Sequence, residues 1–370
     1  MARACPALPI VVLPEDGVVR CRARLAPSVE TTLLAAVDAL TALHGELLSR
    51  EGAAGSREAT TETAVARVDR LAAETTADPM DTAALVPVVP NHDYFGVRTA
   101  KLDDARLAAE TTAIVARALT DLRHARLGAN DRAAEVLAMA ALLRRLALGQ
   151  GLAPRQGAAA EPRPRVTDAR PAPQPAQDEL TRWVVTHHLY FVLNLAAADA
   201  VSRAVPALAA GERDTAFEAV REAVVLVRGF TAAMMHAGDM SAPCYDAKVR
   251  PTMHPPAVPE ALTGRTQPEH RAFRRAMRRL VHVSAVPFAE MAAADPELAL
   301  ARDALLEADL QDIERHIIVT AALVGDDRSL VQSGQAAESA VRVLRTMRHA
   351  RAESYRDLMR FGDPVRLVEA

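Results

Sequence analysis

The side chains best suited to chemistry in this 370-residue chain are a few histidines and arginines in its C-terminal half. His316 lies in DALLEADLQDIERHIIVTAALVG, where Leu306, Ile313, Ile317, Thr320 and Val324 recur at three- and four-residue spacing and form one apolar seam. His316 borders that seam, so its ring is expected to point inward. There it could be a core histidine bonded within the fold, or a ligand or proton carrier. Upstream, RPTMHPPAVPEALTGRTQPEH holds five prolines, His254, His270, Arg250 and Arg265 between helical stretches. A loop of that length is more often functional or disordered than a passive connector. On TRWVVTHHLYFVLNL, Trp183 pairs with His187 and His188 with Phe191 at helical spacing. Such a helix face either lines a pocket or is simply core. His236, Asp239, Cys244 and His254 are metal-ligand types, but their spacing is not that of a zinc or non-heme-iron site. Walker A, GxGxxG and GxSxG patterns are absent, which lowers nucleotide-dependent and acyl-transfer chemistry.

The elements that must position these residues read as helices. Ser28 is placed like an N-cap before TTLLAAVDALTALHGELL, and a Gly/Ser/Glu-rich connector, REGAAGSREATTE, follows. VARVDRLAAET continues as helix, LVPVVPNHDYFGV reads as extended, and NHDYFG is either a pocket wall or a tight turn. Two more helices, divided near Asn130, complete an N-terminal region over 1–148. Residues 149–177, rich in Pro, Ala and Arg, have the composition of a mobile linker. Region 178–370 then holds five helical stretches: 179–207, 213–237, 269–293, 298–324 and 335–359. No repeat of 20–50 residues is visible, and strand-like alternation is confined to short N-terminal pieces, so the predicted class is all-α.

Composition narrows the function classes. A formal charge of -3 provides no basic field for nucleic acid, and the Arg-rich RAFRRAMRRLVH reads as a solvated helix face. Three widely spaced cysteines without a CxxC pair suggest neither a disulfide framework nor a thiolate zinc site. No signal peptide is recognisable, and Asn194 and Asp199 interrupt the most apolar run. The expectation is a cytoplasmic protein with neither nucleic-acid nor membrane partner.

The run IERHIIVTAALVG, a polar loop with Ser333 and Gly334, and QAAESAVRVLRTMRHAR together resemble the C-terminal region of the tryptophan 2,3-dioxygenase superfamily of histidine-ligated heme proteins. YDAKVRPTMHPP followed by LTGRTQPEHRAFR is similar to the RPxMxPP…TG…EH pattern of its heme-dependent tyrosine and 3-methyltyrosine hydroxylases of antibiotic biosynthesis. The dioxygenases' GTGGS/T loop is missing, which argues against ring cleavage. The resemblance covers roughly residues 183–359 and implies an all-α heme fold with short irregular N-terminal segments. His316 would be the iron ligand, with His187 and Ser333 also at the heme. Thr320 stands where the saframycin-type enzymes carry the cysteine that attaches heme, so heme b held noncovalently is implied. His270 or His282 would be the distal group that moves a proton during O–O cleavage. Arg250 and Arg265 could grip a substrate carboxylate or a heme propionate, with Met253 beside the substrate.

The activity implied is a peroxygenase or monooxygenase hydroxylation of the ring of tyrosine or a methylated tyrosine, with hydrogen peroxide, or dioxygen plus reductant, as oxidant. A homo-oligomer, a dimer, is implied as well. The alternatives are oxidation of a tryptophan derivative or of a non-aromatic amino acid by heme, and a cofactor-free all-α binding or scaffolding protein.

Overall fold

The computed structural model describes residues 9–19, 23–49, 54–75, 77–78, 80–148, 179–262, 264, 267–330 and 338–360. Arg265, Ser333 and the linker expected over 149–177 lie outside them. The class is all-α apart from one short parallel strand pair, β1 (Val11–Pro14) beside β2 (Val97–Ala100).

In the N-terminal region α1 (Pro27–Leu48) starts at Pro27 rather than at a Ser28 cap, because proline loses no hydrogen bond at the first helical position. Helix α2 (Ala54–Glu74) takes in most of the expected connector. Within the passage expected to be extended, Pro90 starts one helical turn, α3 (Pro90–Tyr94). Helix α4 (Asp104–Leu122) is capped by Asp103, whose carboxylate accepts the Arg106 N–H at 2.8 Å, and α5 (Ala129–Leu148) follows.

Helix α6 (Glu179–Ala210) is the axis of the molecule and packs against both α7 (Arg213–Ala237) and α9 (Pro268–Val283). It is long and apolar enough to cross a membrane by length and composition, but 67% of its most apolar stretch is buried within the fold. A helix apolar on all sides needs such cover. The short α8 (Ala242–Cys244) leads into the proline-rich loop. The expected helix over 269–293 is split into α9 and α10 (Phe288–Ala294), since Pro287 denies the continuing ladder an N–H. Helices α11 (Pro296–Val324) and α12 (Ala340–Tyr355) close the bundle.

One continuous apolar core runs from Val11 and Val97 through Leu142, Leu193 and Phe230 to Leu306 and Tyr355. The two halves of the chain therefore share a core rather than forming separate domains. Gly229 permits part of this closeness: a Cβ there would lie 2.0 Å from that of Ala138 on α5.

Candidate functional site

Trp183, His187 and Tyr190 share one face of α6 at i, i+4 and i+7, the first two against Phe95 of the N-terminal region and Tyr190 against Phe230 and His270. His187 Nδ1 is 2.6 Å from the Trp183 carbonyl. A carbonyl only accepts, so Nδ1 carries the proton and Nε2 has a free lone pair. The imidazole stacks on Phe95 with centroids 4.4 Å apart and an interplanar angle of 17°, and Trp183 lies 4.2 Å away on centroids. Burial pulls the His187 pKa down to about 4, against the Trp183 carbonyl and helped by His316, so the ring is uncharged at neutral pH. His188, fully buried on the next face, donates its Nε2–H to the Phe95 carbonyl at 2.6 Å and so anchors the stacking ring.

His316 on α11 and His270 in the first turn of α9 complete the group. Burial lowers the His316 pKa to about 4, and among the described residues its ring makes no hydrogen bond. It is near enough to act electrostatically on both His187 and His270. Burial first, and then Arg274 and Arg351, lowers His270 to about 3. The start of α9 is fixed by Glu269, which accepts from His92 Nε2 at 2.9 Å and from Gln267 Nε2 at 2.7 Å. Tyr190 places its hydroxyl 3.4 Å from His270 Nδ1. His187, Tyr190, His270 and His316 are all half-buried, and His316 of α11 lies within electrostatic reach of both His187 of α6 and His270 of α9, each with part of its side chain still accessible.

A charged layer backs this group. Asp309, fully buried, accepts from Arg274 at 2.6 Å, Arg351 at 3.0 Å and the Tyr355 hydroxyl at 2.6 Å. Burial alone would raise its carboxyl, but Arg274 and Arg351 outweigh that and hold it low. Asp312, also buried, lies 3.2 Å from Thr231 Oγ1, and burial pushes its pKa up to about 6. At i, i+3 and i+7, Asp309, Asp312 and His316 share one face of α11.

Not every expected residue joins them. His282 is exposed, twelve residues beyond His270 and about 18 Å further along α9 by helical rise. Arg250 pairs with Asp246 at 3.3 Å and donates to the Ser329 carbonyl at 3.0 Å, tying the proline-rich loop to the segment after α11. Met253 is buried in a small cluster with Tyr245, Val249 and Leu262. A groove of about 600 Å³ runs between Pro87–Tyr94 and Thr252–Pro259, and none of the imidazoles lines it. Missed from sequence were Tyr190, Asp312, Phe95 and His92. The last two belong to NHDYFG, whose aromatic and histidine content was the available signal.

The set His236, Asp239, Cys244 and His254 does not converge on a metal. His236 is instead buried between Glu135 Oε1 at 2.9 Å and Asp121 Oδ2 at 3.0 Å, joining α4, α5 and α7. Burial would lower its pKa, yet the two carboxylates prevail and hold it at about 9. The raised value means this ion network stabilises the fold fully below the ordinary 6.5 and loses that contribution as pH rises through about 9. Replacement of His236 by leucine takes the imidazole donor from two buried acids, leaving Asp121 with Arg182 alone, and should cost about 3–5 kcal/mol. Urea unfolding of both proteins at pH 6 and pH 10 checks this, with the gap between them narrowing at the higher pH.

A family model described as SfmD 3-methyl-L-tyrosine peroxygenase matches residues 14–301. The chain belongs to that family. The SfmD family match takes in the face of α6 and His270 but stops short of His316, whose place here rests on the geometry above. A curated relative, 3-methyl-L-tyrosine peroxygenase of Streptomyces lavendulae, is 35% identical over 114 residues, or 30% of this chain and 31% of the relative. The matched segment thus spans about a third of that protein. A crystal structure of reduced SfmD soaked with sodium hydrosulfite superposes with a TM-score of 0.55 at 21% identity, covering 84% of this chain and 97% of that one. That likeness shows a shared fold, and the family is one of peroxygenases, which are oxidoreductases.

Proposed function

We propose that this protein is a heme-dependent peroxygenase that hydroxylates the ring of tyrosine or a methylated tyrosine, with heme held noncovalently by His316 and hydrogen peroxide as oxidant. The observation that carries this reading is that neutral His316 lies within electrostatic reach of neutral His187 and His270, with Tyr190 in contact with both of these, in a chain of the SfmD family.

The residues fit such a group. An iron ligand must be an unprotonated nitrogen with a free lone pair, and His316 is uncharged and makes no hydrogen bond among the described residues. Thr320, one turn on, provides no thiol, and its buried hydroxyl has no partner among the described residues. When bound, heme would supply the redox chemistry that divides the peroxide O–O bond and delivers one oxygen to the ring.

The protein's own groups do the rest. His270 takes a proton from peroxide and returns it to the departing oxygen, so that the phenol substrate plus peroxide yields catechol plus water. His187, tilted against Tyr190 and stacked on Phe95, offers Nε2 as a hydrogen-bond acceptor. Trp183, Phe95 and Phe191 form an apolar wall that keeps bulk water from the reacting groups.

Protein titrated with hemin should develop a Soret band that shifts on reduction and carbon monoxide addition. With peroxide it should then hydroxylate 3-methyltyrosine or tyrosine in preference to tryptophan and non-aromatic amino acids, as followed by mass spectrometry. A protein that ignores hemin would overturn the reading, and a preference for tryptophan would move the substrate class.

A further inference from the structure

The outward face of α9 takes no part in the imidazole site. Arg271, Arg275, Arg278, Arg279 and His282 recur there at three- and four-residue spacing and are all exposed, while Phe273, Ala276, Met277 and Leu280 on the opposite face are buried. We propose that this basic stripe, with the valine-bearing turn that follows it, is the docking surface for an acidic protein, which lays one carboxylate-bearing helix along α9. Spacing alone reads the stripe as solvated, and its surroundings give it a more specific use.

The first observation is the charge. Among the described residues, none of the four arginine side chains is ion-paired or hydrogen-bonded. Other arginines of this half of the chain do find acids: Arg274 meets Asp309, Arg315 meets Asp131, Arg328 meets Asp246 and Arg348 meets Glu314. Like charges one turn apart repel, so Arg271 with Arg275, and Arg275 with Arg279, work against the helix that carries them. Stability given up without an internal contact is the mark of a surface kept for binding.

The second is the turn at the end of the stripe. Val283, Ala285, Val286 and Pro287 are all exposed, Val283 at 37% and Val286 at 38%. Arg302, itself 2% exposed, donates to the Ser284 carbonyl at 2.6 Å, the Val286 carbonyl at 2.7 Å and the Leu358 carbonyl at 2.9 Å. The Phe288 N–H adds a bond to the Asp357 carbonyl at 3.1 Å. A buried guanidinium whose bonds go to carbonyls thus fixes two exposed valines in place, and a partner meets them without further ordering.

The combination selects the class of partner. An apolar knob beside a basic rim is the make-up of a protein interface. Nucleic acid offers nothing to the valines, and the four arginines span about 12 Å by helical rise in a chain of net charge -3, a small field for a polyanion. A membrane is met by the apolar face of a helix, and that of α9 is turned into the core. An acidic helix presents carboxylates at the same three- and four-residue spacing, with an apolar side chain one turn further on. Arg271 follows His270 directly in the chain, so the docked partner lies beside the helix start that carries the proposed base.

The test uses the full chain and a fluorescein-labelled helical peptide with glutamates at i, i+4, i+7 and i+8 and a leucine one turn beyond, read by fluorescence anisotropy at physiological salt. The peptide should bind saturably, and Arg275→Glu combined with Arg278→Glu should weaken it at least about tenfold. Val286→Ser, or serine in place of the peptide's leucine, should weaken it several-fold. Absence of saturable binding, or an affinity untouched by the charge reversals or by Val286→Ser, overturns the proposal. So does a DNA duplex of equal charge, or a vesicle of phosphatidylglycerol and phosphatidylcholine, that binds as tightly as the peptide and loses its binding with the same arginines.

The thermal midpoint of the double variant should be no lower than that of the wild type, because the two arginines hold nothing among the described residues. Should it not fold, Arg275→Gln with Arg278→Gln is the second variant, with a smaller loss of the same sign expected. In the hemin-loaded protein supplied with free amino acid, these variants should keep the wild-type kcat. A fall in kcat without loss of peptide binding would assign the arginines to the site and overturn the proposal. The peptide assay needs no heme, so its outcome is independent of the heme reading.

Discussion

Hemin titrated into His316→Ala should leave the spectrum of free hemin, where the wild type should yield a Soret band that shifts on reduction and carbon monoxide addition. The argument is one of donor supply. Of the three imidazoles that meet in the site, His316 is the one with no hydrogen bond among the described residues and with burial alone behind its lowered pKa. His187 has Nδ1 committed to the Trp183 carbonyl at 2.6 Å and its ring fixed against Phe95. His270 has Nδ1 beside Tyr190 and its helix start fixed by Glu269. Neither can move to replace a lost ligand without breaking these contacts.

Loss of a residue that merely orients a ligand costs about 10–100-fold in metal affinity, and loss of the ligand itself should exceed about 100-fold. Added imidazole, small enough to occupy the space of the deleted ring, should restore part of the band. Circular dichroism and the thermal midpoint should stay close to wild type, since a half-buried side chain without hydrogen bonds contributes little to the fold. A wild-type spectrum in His316→Ala would remove the assignment.

His270→Ala is expected to keep the heme and lose the reaction. A positioned base contributes typically about 10²–10⁴-fold, and that is the drop expected in kcat with peroxide. The Soret intensity after hemin titration should match the wild type, which separates loss of chemistry from loss of cofactor. His282→Ala is the matched control: it lies on the same helix but is exposed, so both spectrum and rate should be unchanged. Initial rates at saturating substrate decide the matter. A His270→Ala kcat within about twofold of wild type would take the base role from His270.

The sequence and the structure agree most closely where one helix carries the whole signal. Arg213–Ala237 was legible to the residue, because its apolar period is sustained and a Gly follows it. The helix bearing His316 was legible to within two residues, expected over 298–324 and found over Pro296–Val324, with Asp295 capping it by accepting the Leu298 N–H at 3.0 Å. Boundaries failed where proline decided them: Pro27 opened α1, Pro90 opened α3, and Pro287 divided α9 from α10. The first two positions tolerate proline because no hydrogen bond is lost there, and the third ends the ladder because one would be.

The site divides in a similar way. Residue types and helical spacing marked His316, His187 and His270, since an imidazole beside an apolar seam and a motif next to a proline-rich loop are local features. Tyr190 and Asp312 were not legible. Each acquires its meaning from a partner far away in the chain, as Tyr190 does from His270 and Asp312 from Thr231. Phe95 and His92 come from the N-terminal region, where the motif gave a hint but no address.

From its sequence alone the chain was determined to be helical, poor in aromatics and without a basic field, with a proline-rich loop before a histidine-bearing helix. Those properties follow from periodicity, composition and backbone chemistry, which act over a few residues. Only tertiary packing brought the imidazoles of α6, α9 and α11 together, excluded His282 and joined both halves of the chain in one core. Burial then set the charge state of those imidazoles, because desolvation and neighbouring charges depend on what surrounds a group in space and not on its neighbours in sequence.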